Sequence, residues 1–259
     1  MDRLINNRER LRSAGDSESQ GAAFADRLIL NCDLGENESA PQTRALLALV
    51  DAASIACGIH AGSPEKTCST IRDAQKKGLL IGAHPGLGAL GGRGQMHPTA
   101  TDLRHVLGGQ VGAFRETAES LGAKIDYIKL HGSLYHAVES DPLLAQTYVA
   151  FLKEAGQGTA VFCLAGGSCA ERCRRAGIQV YEEAFADRAY RSDGSLLPRS
   201  EAGAVLSVDV ALERFRAWIA TGLMTSHDGH RFPLKADTFC VHGDSPGATA
   251  LLREIRRAK

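Results

Sequence analysis

The sequence predicts a closed barrel of seven parallel strands, each followed by a helix. Three observations predict it. A length of 259 residues is ordinary for one α/β barrel and long for most other single domains. Short apolar runs alternate with helical stretches seven times, the pattern of a parallel sheet. Most of the strands end in residues that handle protons. An open doubly wound sheet gathers its site at one switch point, whereas a closed barrel brings every strand end to one face.

The elements follow in order. Leu28–Cys32 is the first strand and runs into Asn31-Cys32-Asp33-Leu34-Gly35-Glu36. Pro41–Val50 is a helix with proline in its first turn. Ala52–Cys57 is the second strand, ending at Gly58-Ile59-His60-Ala61-Gly62, and Pro64–Lys77 is a helix stopped by Gly78. Leu79–Ala83 is the third strand, followed by His84 and a glycine-rich loop, Pro85–Pro98. Thr99–Leu121 reads as one long helix ended by Gly122. Ile125–Leu130 is the fourth strand and Asp141–Ala155 its helix; Ala160–Leu164 and Ser168–Ala176 form the fifth unit. Ile178–Glu182 is the sixth strand, and a long connection, Ala184–Ser207, precedes the helix Val208–Thr221. Ala236–Val241 is the seventh strand and Pro246–Arg257 the last helix. The two long segments, 85–98 and 184–207, are expected to cap the barrel mouth. Residues 28–259 read as a single domain. Met1–Arg27 is polar, lacks the apolar centre of a signal peptide, and reads as a disordered extension that adds nothing to the core.

Composition excludes several classes of function. Lysine and arginine balance aspartate and glutamate at 30 each, and no basic run points to nucleic acid or an anionic membrane. No apolar stretch is long enough to span a bilayer. Seven cysteines, an odd number scattered through strands and helices, are no disulfide framework and fit a reducing cytoplasm. Gly86-Leu87-Gly88-Ala89-Leu90-Gly91 matches a dinucleotide-binding pattern. It continues as loop instead of opening a helix, so it lacks the amides that hold a pyrophosphate. Arg93 in that loop is a candidate anion ligand. No Walker-type phosphate loop occurs.

The candidate catalytic set is Asp33, His60, Lys129, His131, Asp187, His242 and Asp244, with His84 beside them. Imidazoles and carboxylates gathered at strand ends suit general acid–base work or a divalent metal. Arg93, Arg188, Tyr190 and Arg199 are candidates for a carboxylate or phosphate. Strand alternation turns Ile128 and Leu130 outward and Lys129 and His131 inward. A buried lysine there needs an anionic neighbour, for which Asp33 is the candidate. Lys129→Met is expected to leave the fold intact and to lower turnover.

Seven ordered blocks carry a resemblance to a known family. They are Asn31–Glu36, Ser54–Gly62, Gly82–Pro85, Lys129–Tyr135, Phe185–Tyr190, Leu197–Arg199 and Cys240–Asp244. In them the sequence resembles the LamB/YcsF proteins, which form the A subunit of the bacterial ATP-dependent 5-oxoprolinase. The resemblance implies a seven-stranded β/α barrel of the glycoside hydrolase/deacetylase superfamily. It implies hydrolysis of the lactam 5-oxoproline to glutamate, coupled to ATP with Mg²⁺, with 5-oxoprolinase subunits B and C as partners. Metal-binding sugar deacetylases of that superfamily imply a further set, Asp33, His84 and His131, as ligands of a divalent metal. Two departures stand out: Ser63 replaces the family's aspartate, and Leu87–Gln95 lacks an aromatic and one arginine. They keep open a metal-dependent deacetylase or amidohydrolase acting on a sugar or another lactam, and a regulatory subunit without activity. A homo-oligomer is also left open. In the lactam chemistry, Asp33 or His131 is the expected base, Lys129 is expected to meet the developing charge, and Arg188 to hold the substrate carboxylate.

Overall fold

Inward-facing positions on each strand follow the period of two that a half-buried strand requires. A computed structural model describes residues 28–88, 97–155 and 158–259. Seven strands close into a parallel barrel: β1 (Ile29–Leu34), β2 (Ala52–Ala56), β3 (Leu80–His84), β4 (Tyr127–Ile128), β5 (Ala160–Leu164), β6 (Val180–Phe185) and β9 (Thr238–His242). The barrel closes where β9 pairs with both β1 and β6, Asp33 lying opposite His242. A separate antiparallel hairpin, β7 (Leu223–Thr225) with β8 (Arg231–Pro233), lies between helix and last strand. The sequence had offered no sign of it.

The floor of the barrel is packed by Ile29, Ala52, Leu80, Tyr127, Ala160, Phe162 and Tyr181. The rings of Tyr127 and Phe162 stack at 3.8 Å. Gly82 has no side chain because a Cβ there would lie 2.2 Å from the Tyr127 ring. The outward positions, among them Leu30, Cys32, Ile55, Ala83, Ile128 and Val241, join the larger core under the helices.

The helices are α1 (Ala40–Leu47), α2 (Pro64–Lys76), α3 (Ala100–Val106), α4 (Gly112–Ser120), α5 (Gly132–Ser140), α6 (Pro142–Ala155), α7 (Ser168–Arg175), α8 (Val208–Thr221) and α9 (Ala248–Ala258). Two differ from expectation. The stretch read as one helix from Thr99 is interrupted by a π segment, Leu107–Val111, containing Gly108-Gly109. Glycine gives up helix stability, and the wider turn re-aims the buried Gln110. Gln110 accepts from the Gly86 N–H at 3.1 Å and donates to its carbonyl at 2.7 Å. The second surprise is α5. It starts directly at the end of the fourth strand, with extended His131 as its N-cap and no side-chain cap. It ends at extended Asp141, which precedes Pro142, a position that disfavours helix.

Candidate functional site

The strand-end candidates among the described residues gather at one end of the barrel, where a cavity of about 410 Å³ opens; His60, His84 and Asp187 lie behind its lining. Asp33 comes from β1, Lys129 and His131 follow β4, and His242 ends β9; all four line the cavity. Parts of both expected caps reach the cavity: His97 and Pro98 line it, as do Leu196, Pro198 and Arg199. Arg93 and residues 89–96 of the glycine-rich loop lie outside the described residues, as does the extension at residues 1–27.

At the bottom of the mouth lies a buried charge centre. The Lys129 ammonium is 1% exposed and donates to Asp33 Oδ1 at 2.6 Å. It also pairs with Glu183 Oε1 at 2.8 Å and lies 3.1 Å from Cys240 Sγ. Asn31 donates to Glu183 Oε1 at 2.9 Å and to Thr238 Oγ1 at 2.7 Å. The inferred Lys129–Asp33 neighbourhood is therefore present, with Glu183 as a second anion. Burial opposes ionisation of Asp33, but His84, Lys129 and His242 outweigh it and hold the carboxyl far below its usual range. Burial alone would lower Lys129, yet Asp33, Cys240 and Glu183 raise it. Burial pushes Glu183 up, with Lys129 pulling against it, and its Oε2 has no hydrogen-bond partner among the described residues. With its donors directed at these acceptors, Lys129 serves to hold Asp33 more than to meet a substrate oxyanion.

Beside this centre, His242 Nδ1 lies 3.0 Å from Asp187 Oδ1. Asp187 is 1% exposed, and its Oδ2 accepts from the His242 N–H at 3.1 Å and the Ser245 hydroxyl at 2.5 Å. Burial raises the Asp187 carboxyl, but the His242 charge and these bonds bring it down to about 2. The aspartate thus fixes the ring, with Nδ1–H directed at the carboxylate. Nε2 is left facing Asp33 Oδ2 at 3.8 Å.

A third group lies on the other flank. Glu36, His60, His84 and His131 each place one ligand atom within 4.8 Å of the others. His60 and His131 stack at 4.0 Å between ring centroids. His84 Nδ1 meets the Lys129 carbonyl at 2.8 Å, and its Nε2 faces His131 Nδ1 at 3.0 Å. Both ring nitrogens of His60 are buried without a hydrogen-bond partner among the described residues. Burial lowers His84 to about 4 and, with His84 and His60 beside it, takes His131 well below its usual value. The room for the stack comes from Gly86, where a Cβ would lie 2.8 Å from His131 Cβ and 2.9 Å from His60 Nδ1. The expected ligand trio is thus divided. His84 and His131 sit in this cluster, whereas Asp33 is bound to Lys129 and only borders it, its Oδ2 3.4 Å from His84 Nε2.

The anion-binding candidates separate. Arg199 lies on the rim in a two-pronged pair with Asp244, at 3.1 and 3.3 Å. Arg188 lines the cavity, but it donates to the carbonyls of Ala204 at 3.3 Å and Leu197 at 2.5 Å. Both carbonyls belong to the same 184–207 connection, so Arg188 braces that segment from within. Tyr190 is a correction: it does not line the cavity. Its hydroxyl accepts from the Phe185 N–H at 2.7 Å, and its ring lies over Arg214 at 5.2 Å, so it is a packing residue. Glu36 and Glu183 were missed as site residues. Glu36 stood in a quoted block. Glu183 fell just beyond the expected end of the sixth strand at Glu182, which concealed its inward direction.

Fold and site together define a parallel β/α barrel with one mouth lined by imidazoles, carboxylates and a buried lysine. The chain belongs to the LamB/YcsF family, whose model matches residues 28–259. It is 37% identical over 236 residues to the 5-oxoprolinase A subunit of Heliobacterium modesticaldum, covering 89% of this chain and 93% of that protein. It is 36% identical over 235 residues to the protein of the same name from Bordetella pertussis, covering 88% and 93%. The crystal structure of the lactam utilization protein of Thermus thermophilus superposes with a TM-score of 0.79 at 32% identity, covering 89% of this chain and 95% of that one.

Proposed function

We propose that this chain opens the lactam ring of 5-oxo-L-proline to L-glutamate, as the A subunit of an ATP-dependent 5-oxoprolinase working with B and C subunits. The observation that carries the reading is the His242–Asp187 pair facing ionised Asp33 across a mouth sized for a small molecule. The names of the relatives supply the substrate.

An unactivated lactam is a poor electrophile. Transfer of a phosphoryl group from Mg²⁺-bound ATP to the lactam oxygen makes the ring carbon electrophilic. His242, oriented by Asp187, accepts a proton from water as the water attacks that carbon. Asp33 stabilises the imidazolium formed beside it. The tetrahedral adduct expels the ring nitrogen, which takes the proton back from His242, and a second water hydrolyses the acyl phosphate left behind. His242 is preferred as the base to Asp33, which Lys129 holds as a weakly basic anion, and to His131, which is packed among imidazoles. Arg188 and Arg199 supply positive charge for the substrate carboxylate. The absence of a Walker loop in the sequence fits a nucleotide handled with the partner subunits.

The test is glutamate release from 5-oxoproline and ATP, with and without the B and C subunits. Release that needs all three and stops in His242→Gln supports the reading; full assembly with no release in any combination refutes it. The Glu36–His60–His84–His131 group favours one second reading, a metal-dependent deacetylase or amidohydrolase. Acetate release from an acetylated sugar by this chain alone, without ATP, would establish that instead.

A further inference from the structure

We propose that Glu36, His60, His84 and His131 form a four-coordinate site for one divalent transition-metal ion of the zinc, manganese, iron and cobalt class, with Asp33 outside the ligand set. The first support is spacing. Four ligands held about 2.0–2.2 Å from an ion at tetrahedral angles lie about 3.3–3.6 Å from one another. Glu36 Oε1 is 3.5 Å from both His60 Nε2 and His131 Nδ1, and His131 Nδ1 is 3.0 Å from His84 Nε2. The second support is His60. Its side chain is 2% exposed, yet neither nitrogen makes a hydrogen bond among the described residues, Nε2 meeting only Glu36 Oε1 at a long 3.5 Å. A buried polar group left unpaired is costly, and an ion is the partner that would satisfy it. The third is orientation. His84 Nδ1 is engaged by the Lys129 carbonyl, which presents Nε2 to the cluster in the way that an outer partner orients a ligating histidine.

The donor set selects the ion. Three imidazoles with one carboxylate suit borderline transition metals, whereas calcium and magnesium prefer oxygen. Asp33 borders the set: its Oδ1 is given to Lys129 at 2.6 Å, and its Oδ2, 3.4 Å from His84 Nε2, also faces His242 Nε2 at 3.8 Å on the opposite flank. When bound, such an ion supplies a Lewis acid beside the mouth. The inference does not rest on the lactam reading, since its readouts are the ion and its ligands.

The test uses the whole chain, stripped with chelator and reloaded with Co²⁺ or Zn²⁺. The expected result is one ion per chain, a four-coordinate Co²⁺ absorption spectrum, and X-ray absorption of the Zn²⁺ form that counts three imidazoles. His60→Gln and Glu36→Gln are each expected to weaken binding by at least about ten-fold, since even outer-shell changes commonly cost that much. Asp33→Asn should still bind one ion with the same spectrum. Circular dichroism establishes that each variant is folded, and the imidazole count on the parent protein decides the matter if one is not. No stoichiometric ion would overturn the proposal, leaving the imidazoles as a hydrogen-bonded group. Two imidazoles in place of three, or equal loss in Asp33→Asn, would assign the ion to Asp33, His84 and His131 and overturn it as well.

Discussion

Lys129→Met is the substitution on which the charge centre can be judged. The ammonium is 1% exposed and lies 2.6 Å from Asp33 Oδ1 and 2.8 Å from Glu183 Oε1. Methionine fills a similar volume but leaves two carboxylates buried without their cation. Removing one partner of a buried pair costs about 3–5 kcal/mol. Glu183 offers partial relief, because burial and Asp33 already push its carboxyl towards the protonated form, and losing Lys129 pushes it further the same way. The expected loss is therefore about 3 kcal/mol, near the bottom of that range. This adds a cost in stability to the expectation from sequence, which was an intact fold with lowered turnover. The sign with pH follows: a carboxyl with raised folded pKa binds its proton more tightly when folded, so the variant's deficit shrinks as pH falls. The double variant Lys129→Met/Glu183→Gln should regain roughly half of the loss, while glutamate release stays as low as in the single variant. Urea unfolding of parent, single and double variants at pH 7 and pH 5 measures this. A single variant within about 0.5 kcal/mol of the parent, or a double variant no better than the single, refutes the assignment of Lys129 as the shared counter-charge.

Three further outcomes are expected. Asp187 has its carboxyl at about 2 against an ordinary 3.8, so it contributes about 2 kcal/mol that is present above pH 4 and lost as pH falls towards 2. In Asp187→Asn that pH-dependent part should vanish from urea unfolding curves, and kcat should fall because His242 loses its orienting partner. Gly86→Ala should cost about 1–3 kcal/mol, since its new methyl meets His131 and His60; an unchanged melting temperature would show that the stack yields freely. Arg199→Ala breaks a partly exposed pair and should cost under about 1 kcal/mol. It should raise KM for 5-oxoproline more than for an uncharged lactam, and equal effects on both would remove Arg199 from carboxylate binding.

Much of this was legible in the sequence because barrel geometry converts strand ends into neighbours. Asp33, His84, His131 and His242 sit far apart in the chain, yet each ends a strand or directly follows one. The pairing of Lys129 with Asp33 followed from alternation, which turns Lys129 inward, and from the need of a buried lysine for an anion. Boundaries were the weak point. Ending the sixth strand at Glu182 hid Glu183, and starting the fourth unit's helix at Asp141 hid α5, which begins without a capping side chain. Tyr190 was misread because an exposed-looking polar motif, Asp187-Arg188-Ala189-Tyr190, turned out to be buried and bonded to backbone.

The Gln110 clamp on Gly86 has a consequence for how such a protein can change over time. Both polar groups of the Gly86 backbone are tied to one side chain from the π segment. The chain position on which the imidazoles lean is thereby anchored from behind. Everything in the sequence from Leu87 to Pro98 begins beyond that anchor. His97 and Pro98, at the far end of that stretch, line the mouth, and substitutions at them can alter what it admits without tugging on His60 or His131. The lining of the mouth and the imidazoles behind it thus rest on separate supports, and one can change while Gln110 holds the other.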